Sequence, residues 1–171
     1  GNYPVGAANV ALGDTALDNG SLTGGYNTAI GANALSSATS GTINTAIGFQ
    51  SMYNTTTGVH NSGLGQNSLV SNTTGGYNVA VGSEALQNNT TASSNTAVGY
   101  QAIYTNTTGA SLSAVGVGAL YANTTGSNNV AMGTSSLVSN TTGASNTGLG
   151  RDALRSNTTA SNNTAVGYQA L

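Results

Sequence analysis

Glycine recurs at a fixed spacing along almost the whole chain. Alignment on one glycine gives an interval of 18 residues and then eight intervals of 17, at Gly13, Gly31, Gly48, Gly65, Gly82, Gly99, Gly116, Gly133, Gly150 and Gly167. A full unit spans residues 95–111 (NTAVGYQAIYTNTTGAS), which define positions one to seventeen. The copies begin at residues 9, 27, 44, 61, 78, 95, 112, 129, 146 and 163. This period predicts a single repeat domain over residues 9–171, preceded by a partial leading coil or cap at residues 1–8.

Two rows of large apolar residues run through the repeat. Position four holds Leu12, Ile30, Ile47, Leu64, Val81, Val98, Val115, Met132, Leu149 and Val166. Position nine holds Leu17, Leu35, Met52, Leu69, Leu86, Ile103, Leu120, Leu137, Leu154 and Leu171. Positions three and eight hold only Ala, Gly or Ser. We expect both large rows to form the core, with the small position-three residues facing the other side, where a second chain could approach closely.

The pattern predicts an all-β fold. No 3.6-residue periodicity is present, and Asn, Thr and Gly are poor helix formers. We expect two short extended pieces per unit, at positions two to four and eight to ten, each pairing in parallel with the next unit in a β-roll, or β-solenoid. At the strand spacing of ~4.8 Å, ten coils make a rod of about 45 to 50 Å. The invariant glycine at position five indicates a positive φ or a close backbone approach.

Asparagine occupies position one in nine of the ten copies, and Leu112 is the exception. The row consists of Asn9, Asn27, Asn44, Asn61, Asn78, Asn95, Asn129, Asn146 and Asn163. Identical side chains stack in parallel in-register sheets, so we expect these amides to form a hydrogen-bonded ladder.

The composition excludes several function classes. Charged residues make up 4% of the chain, the net charge is −2, and Arg151 and Arg155 are the only arginine or lysine residues. Such a chain cannot neutralise a run of phosphates, which excludes nucleic-acid binding as a main activity. The sequence has no apolar run of membrane-spanning length and no signal peptide, so we expect no membrane insertion of this segment. Because it begins without methionine, we expect a fragment or a processed product.

No set of residues typical of catalysis recurs. His60 is a lone loop histidine without a neighbouring acid or nucleophile, and we interpret it as structural. Asp14 and Asp18 form a solvated rim rather than a cation site. The cluster of Arg151, Asp152 and Arg155 indicates an exposed ion pair. We therefore expect no enzyme activity, no cofactor and no metal.

Tyrosines provide the candidate contact patch. Tyr53, Tyr104 and Tyr121 occupy position ten, which faces outward if position nine faces inward, and Tyr100 lies at a nearby turn. Tyrosine offers amphipathic contact area for a glycan or protein receptor, although the same residues could serve only to stiffen the rod by stacking.

Paired threonines at positions thirteen and fourteen run through seven copies, from Thr56 and Thr57 to Thr158 and Thr159. Such ladders raise ice binding as an alternative, although adjacent residues point to opposite sides, so that only one row would face outward. Each Asn-Thr-Thr is also a glycosylation sequon.

The core of a single coil is thin. Two large apolar side chains per coil stabilise less than the ordering of 17 residues costs. We therefore expect the rod to associate with copies of itself, in a number that composition alone does not fix.

The repeat resembles known families over nearly the whole chain, from Asn9 onward. Residues 9–13 (NVALG), 78–82 (NVAVG) and 129–133 (NVAMG) resemble the head repeats of YadA-like trimeric autotransporter adhesins, and residues 163–171 (NTAVGYQAL) resemble repeats of phage and viral tail fibres. The resemblance implies a left-handed homotrimeric parallel β-roll on a bacterial surface, an extracellular filament or a virion. It predicts an adhesive head or shaft that attaches to a surface or host receptor. A passive filament or spacer and an ice-binding solenoid stay open as alternatives.

Overall fold

The computed structural model describes residues 7–171 as an all-β solenoid, and this part of the chain contains no helix. Most of the predicted leading coil, residues 1–6, lies outside the described residues. Ala7 already follows the repeat, since its carbonyl accepts a hydrogen bond from the Tyr26 amide at 2.9 Å. The ten strands of residues 7–171 are β1 (Val10–Leu12), β2 (Thr28–Ile30), β3 (Thr45–Ile47), β4 (Ser62–Leu64), β5 (Val79–Val81), β6 (Thr96–Val98), β7 (Ser113–Val115), β8 (Val130–Met132), β9 (Thr147–Leu149) and β10 (Thr164–Val166).

The strands form one parallel sheet in chain order, from β1 to β10. Each residue pairs with the residue at the same repeat position in the next coil, as Ala80 pairs with Ala97 and Val81 with Val98. The predicted repeat register and the parallel β-solenoid are therefore confirmed.

The expected second strand at positions eight to ten is wrong, because these residues form a turn. The position-nine residue has a left-handed backbone in all ten copies, with φ between 49° and 58°. Large residues seldom adopt this conformation. Here the neighbouring coil supports it: the Leu35 amide donates to the Ser51 carbonyl at 3.1 Å, and equivalent bonds recur along the rod.

Position five requires glycine for two reasons. Its φ lies between 124° and 140° in every copy, a region that L side chains rarely adopt. In addition, a Cβ built on Gly99 would lie 2.6 Å from the carbonyl oxygen of Gly116 in the next coil. Positions seven and seventeen also have positive φ, near 60°, but they hold mostly non-glycine residues. Both the larger φ and the steric contact therefore separate position five from the other corners with positive φ.

The large position-nine row fills the interior of the solenoid. Its members from Leu17 to Leu154 are at most 4% exposed, while Leu171 in the last coil is exposed. They pack with the small residues of positions three and eight, such as Ala97 and Ala102, which are fully buried.

The prediction that position four lies inside the coil is wrong. Leu12, Ile47, Leu64, Val81, Val115, Met132 and Val166 are between 37% and 68% exposed, and Ile30, Val98 and Leu149 are half-buried. The strands instead turn the small position-three residues inward, so the expectation that this row faces a second chain is also wrong.

The narrow interior explains this orientation. A Cβ built on Gly63, at position three, would lie 2.7 Å from Oγ of Ser51 and 3.3 Å from the terminal methyl of Met52. Position three therefore faces positions eight and nine directly, and only a small side chain fits there. The larger aliphatic residue at position four must point to the outside because neighbouring side chains of a strand alternate.

The position-one asparagines form a buried ladder. Oδ1 of Asn61 accepts hydrogen bonds from the backbone amide of Asn78 at 3.0 Å and from its Nδ2 at 3.1 Å. Nδ2 of Asn78 also donates to the Ala92 carbonyl of its own coil at 2.9 Å. At the exception, the amide of the buried Leu112 donates to Oδ1 of Asn95 at 2.9 Å, but the leucine side chain offers no acceptor to the next coil.

A second asparagine ladder runs at position twelve. Nδ2 of Asn106 donates to Oδ1 of Asn89 at 3.0 Å and to the Gly109 carbonyl at 2.9 Å. The same pair of bonds recurs at Asn89, Asn123, Asn140 and Asn157. Asn72 begins the row with the carbonyl bond alone, because Thr55 occupies this position in the preceding coil. Two polar rows and one leucine-rich row therefore share the interior.

We expect Gly99→Ala to lower the free energy of unfolding by about 2 to 4 kcal/mol, because it combines a disfavoured φ with a backbone clash. Gly118→Ala is the matched control: Gly118 lies at position seven with φ of 63°, and no atom lies within 4 Å of its added Cβ. Chemical denaturation measures both. Equal losses for the two variants would contradict the steric role of position five.

Candidate interaction surfaces

The outer face of the sheet carries an uninterrupted row of apolar side chains. It consists of the position-four side chains, flanked by positions two and six. Val79 at position two and Phe49, Tyr100 and Val117 at position six add exposed apolar area. Through the seven coils that start at residues 27 to 129, none of these three positions carries a charge. An uninterrupted apolar row of this length is typical of an interaction site rather than of a free surface.

The four tyrosines of the predicted contact patch do not form one site. Tyr104 and Tyr121 stack with ring centroids 5.1 Å apart and an interplanar angle of 1°. Tyr53 lies three coils before Tyr104, about 14 Å away at the strand spacing. Tyr100 belongs to the outer sheet face instead.

The stacking geometry limits what Tyr104 and Tyr121 can bind. Each ring covers one face of the other, both residues are half-buried, and the Tyr104 hydroxyl accepts a hydrogen bond from Nε2 of Gln87 at 3.3 Å. A sugar ring packs against the face of an aromatic ring, and the shared faces are closed to it. The pair therefore serves packing between coils better than it serves recognition.

A more exposed row was not predicted. Position seventeen carries Tyr26, Ile43, His60 and Tyr77 in four consecutive coils, all exposed, with Tyr26 at 67% and Tyr77 at 61%. The His60 imidazole stacks on the Tyr77 ring at 5.0 Å and 7°. In the sequence these residues appear as unrelated loop residues, and only their shared repeat position places them in one row.

The arginines are held by a buried carboxylate. Asp152 is 4% exposed, and it pairs with Arg151 at 3.2 Å and with Nη1 of Arg155. The Arg151 guanidinium also lies 5.7 Å from the centre of the Tyr168 ring. The predicted ion pair is present, with both guanidinium groups exposed and the carboxylate covered.

The acidic residues of the first coil lie at the surface of the rod. Asp14 and Asp18 are both exposed. Within residues 7–171 no group of three or more His, Asp or Glu residues could hold a metal ion.

The paired threonines have different environments. Position thirteen is half-buried in most coils, and its hydroxyls donate to the next coil, as Thr107 Oγ1 does to the Thr124 carbonyl at 3.1 Å. Position fourteen is exposed in all seven Thr-Thr copies: Thr57, Thr74, Thr91, Thr108, Thr125, Thr142 and Thr159. Only one row of threonines therefore faces outward.

Most Asn-Thr-Thr sequons are closed to modification in the folded chain. Their asparagines at position twelve belong to the second ladder, and Asn72, Asn89, Asn106, Asn123 and Asn140 are fully buried. Asn54, at position eleven, is exposed. The recurrence of Asn-Thr-Thr is thus explained by hydrogen bonding between coils.

In the part of the chain that the structure describes, no helix is long and apolar enough to cross a membrane. Comparison of the chain with known protein families, with curated proteins and with solved structures finds no match.

Proposed function

We propose that the chain is a structural and adhesive segment, a head or shaft, of an extracellular trimeric fibre that attaches to a surface or host receptor. The observation that carries this proposal is the uncharged apolar row at position four, exposed along the rod. A rod with such a face is stabilised by packing against copies of itself.

The regular spacing of the repeat allows copies of the chain to associate in parallel. When two identical rods lie in parallel, their position-four rows have the same spacing, and every coil can contribute the same contact. The position-four side chains, which do not belong to the core of one chain, then become the core between chains. Three left-handed rods around one axis is the arrangement that the resemblance to adhesin and tail-fibre repeats implies.

The oligomeric state tests this proposal. We expect the wild-type chain to sediment as a trimer, and Val81→Lys with Val115→Lys to dissociate it, because six lysines would be buried without partners in the trimer. A weakening of association by at least about 100-fold is expected. Because Val81 and Val115 are 37% and 43% exposed in the single chain, the coil itself should still fold.

Thr91→Lys with Thr125→Lys is the matched control for the same two coils. These threonines occupy the exposed position-fourteen row, and the variant should remain trimeric. A wild-type chain that sediments as a monomer over the whole concentration range would overturn the proposed assembly.

Substitutions in the position-seventeen row test whether the segment binds a receptor or acts only as a passive spacer. Tyrosine is common at recognition sites because it combines a large apolar area with a hydroxyl. Three other coils carry serine at this position, as Ser94, Ser111 and Ser145, so Tyr26→Ser with Tyr77→Ser should preserve the fold.

We expect the Tyr26→Ser and Tyr77→Ser variant to lose most of its binding to whole cells or glycan arrays. The variant Tyr104→Ala with Tyr121→Ala should bind nearly as the wild type does. If the wild type itself binds no cells and no glycans, the segment is a passive filament or spacer. If only the Tyr104 and Tyr121 variant loses binding, the stacked pair is the receptor site.

Ice binding is the second candidate, and the exposed threonines of position fourteen favour it. They repeat at the strand spacing of ~4.8 Å on a rigid support. The hydroxyls of position thirteen are already used in bonds between coils, so the face has one outward row of threonines. The apolar row on the outer face of the sheet is the larger surface, and for this reason the fibre is the preferred function.

A further inference from the structure

The pair Asn19 and Gly20 is the only Asn-Gly in the sequence. It lies in the first coil, which is the one coil of 18 residues, in a loop between the buried Leu17 and Leu22. A backbone nitrogen that follows asparagine can attack the side-chain amide carbon and close a five-membered ring. Glycine hinders this attack least because it has no Cβ and the widest choice of backbone conformations.

The attacking nitrogen is free. Among residues 7–171 no hydrogen-bond acceptor pairs with the Gly20 amide. Gly20 is exposed, and a Cβ built on it would meet no atom within 4 Å. Rotation of the Gly20 backbone therefore meets no steric clash, while the Asn19 side chain is tied to the next coil through Nδ2, which donates to the Ser37 carbonyl at 3.2 Å.

The amide carbon under attack is polarised. Oδ1 of Asn19 accepts a hydrogen bond from the Ser21 amide at 3.0 Å, which draws electron density from the carbonyl carbon. The Asn19 backbone carbonyl accepts from the Leu22 amide at 2.9 Å, so the residues form a tight turn around Gly20.

The two asparagine ladders are protected from the same reaction. After Asn78, the Val79 amide donates to the Asn95 carbonyl at 2.8 Å, and after Asn106, the Thr107 amide donates to the Thr124 carbonyl at 3.0 Å. The side chains of Asn78 and Asn106 are fully buried. In these rows, unlike at Asn19, the attacking amide is itself hydrogen-bonded to the next coil, and the side chain is fully buried.

We propose that Asn19 is a site of spontaneous deamidation in the folded chain, and that the asparagines of the two ladders are protected from this reaction. The Gly20 nitrogen forms a bond to Cγ of Asn19, the bond from Cγ to Nδ2 breaks, and ammonia leaves with the proton of the Gly20 amide. Water then opens the resulting succinimide at either carbonyl, giving aspartate or isoaspartate. The product carries one more negative charge in the coil of Asp14 and Asp18.

The intact chain is incubated in mildly alkaline buffer at physiological temperature, and peptide mass spectrometry follows each asparagine over time. We expect the Asn19 peptide to gain the mass of the amide-to-acid change at least about tenfold faster than any ladder asparagine. Labelling by an isoaspartate methyltransferase should identify the isoaspartate product. Gly20→Ala should slow the reaction about tenfold, since its Cβ hinders the attack.

Deamidation of the chain unfolded in urea, compared with that of the folded chain, distinguishes the effect of the fold from the effect of the local sequence. Asn61 and Asn67, each followed by serine, should react in urea and stay intact in the folded chain, where Asn61 is fully buried and the Ser62 and Ser68 amides are hydrogen-bonded. The proposal is overturned if Asn19 reacts in urea but stays intact in the folded chain. It is equally overturned if ladder asparagines in the folded chain react as fast as Asn19.

Discussion

The whole structure depends on one constraint, the in-register hydrogen bonding of each coil to the next. Strand residues, turn residues and buried asparagines find hydrogen-bond partners in the neighbouring coil, as Asn78 does with Asn61 and Thr107 with Thr124. This register allows backbone groups of tight turns, which would otherwise be unsatisfied, to be bonded inside the rod. It also allows large residues at position nine to adopt a left-handed backbone ten times over. A coil without its neighbours would lose all of these bonds together.

The narrow interior follows from the same constraint and decides which surface the rod presents. Apart from Leu22 and Leu112, the large apolar side chains that lie inside the rod in residues 7–171 all come from position nine. Positions three and eight hold small residues, and positions one and twelve hold asparagine in most coils. The aliphatic residue at position four is consequently displaced to the outside. An apolar row that does not contribute to the core of one chain thus becomes the strongest indication of a partner, and the proposed fibre follows from it.

The sequence was sufficient to predict the repeat, the parallel register, the turn glycine and the position-one ladder, because each depends on residue identity at a fixed spacing. The sequence did not show which face of each strand points into the coil. Side-chain size favours the large residue at position four as the inward-facing one. The close approach of Gly63 to Ser51 instead requires that the inward-facing residue be small, as position three is. The prediction of a second strand in each unit is wrong because no local sequence pattern indicates that Leu35 or Leu86 has a positive φ. The second ladder was visible as Asn-Thr-Thr but was interpreted as a loop with sequons, since a polar interior is uncommon. The row from Tyr26 to Tyr77 required the solenoid to be built before its members became neighbours.

Hydrogen exchange of the asparagine side-chain amides, followed by NMR, tests the central claim most directly. If the ladders hold the coils together, the Nδ2 protons of Asn78, Asn89 and Asn95 exchange as slowly as the backbone amides of the central strands. The exposed Asn54 should exchange at the rate of a free amide in the same sample. Ladder amides that exchange as fast as Asn54, in a chain whose strand amides are protected, would contradict this account of what stabilises the rod.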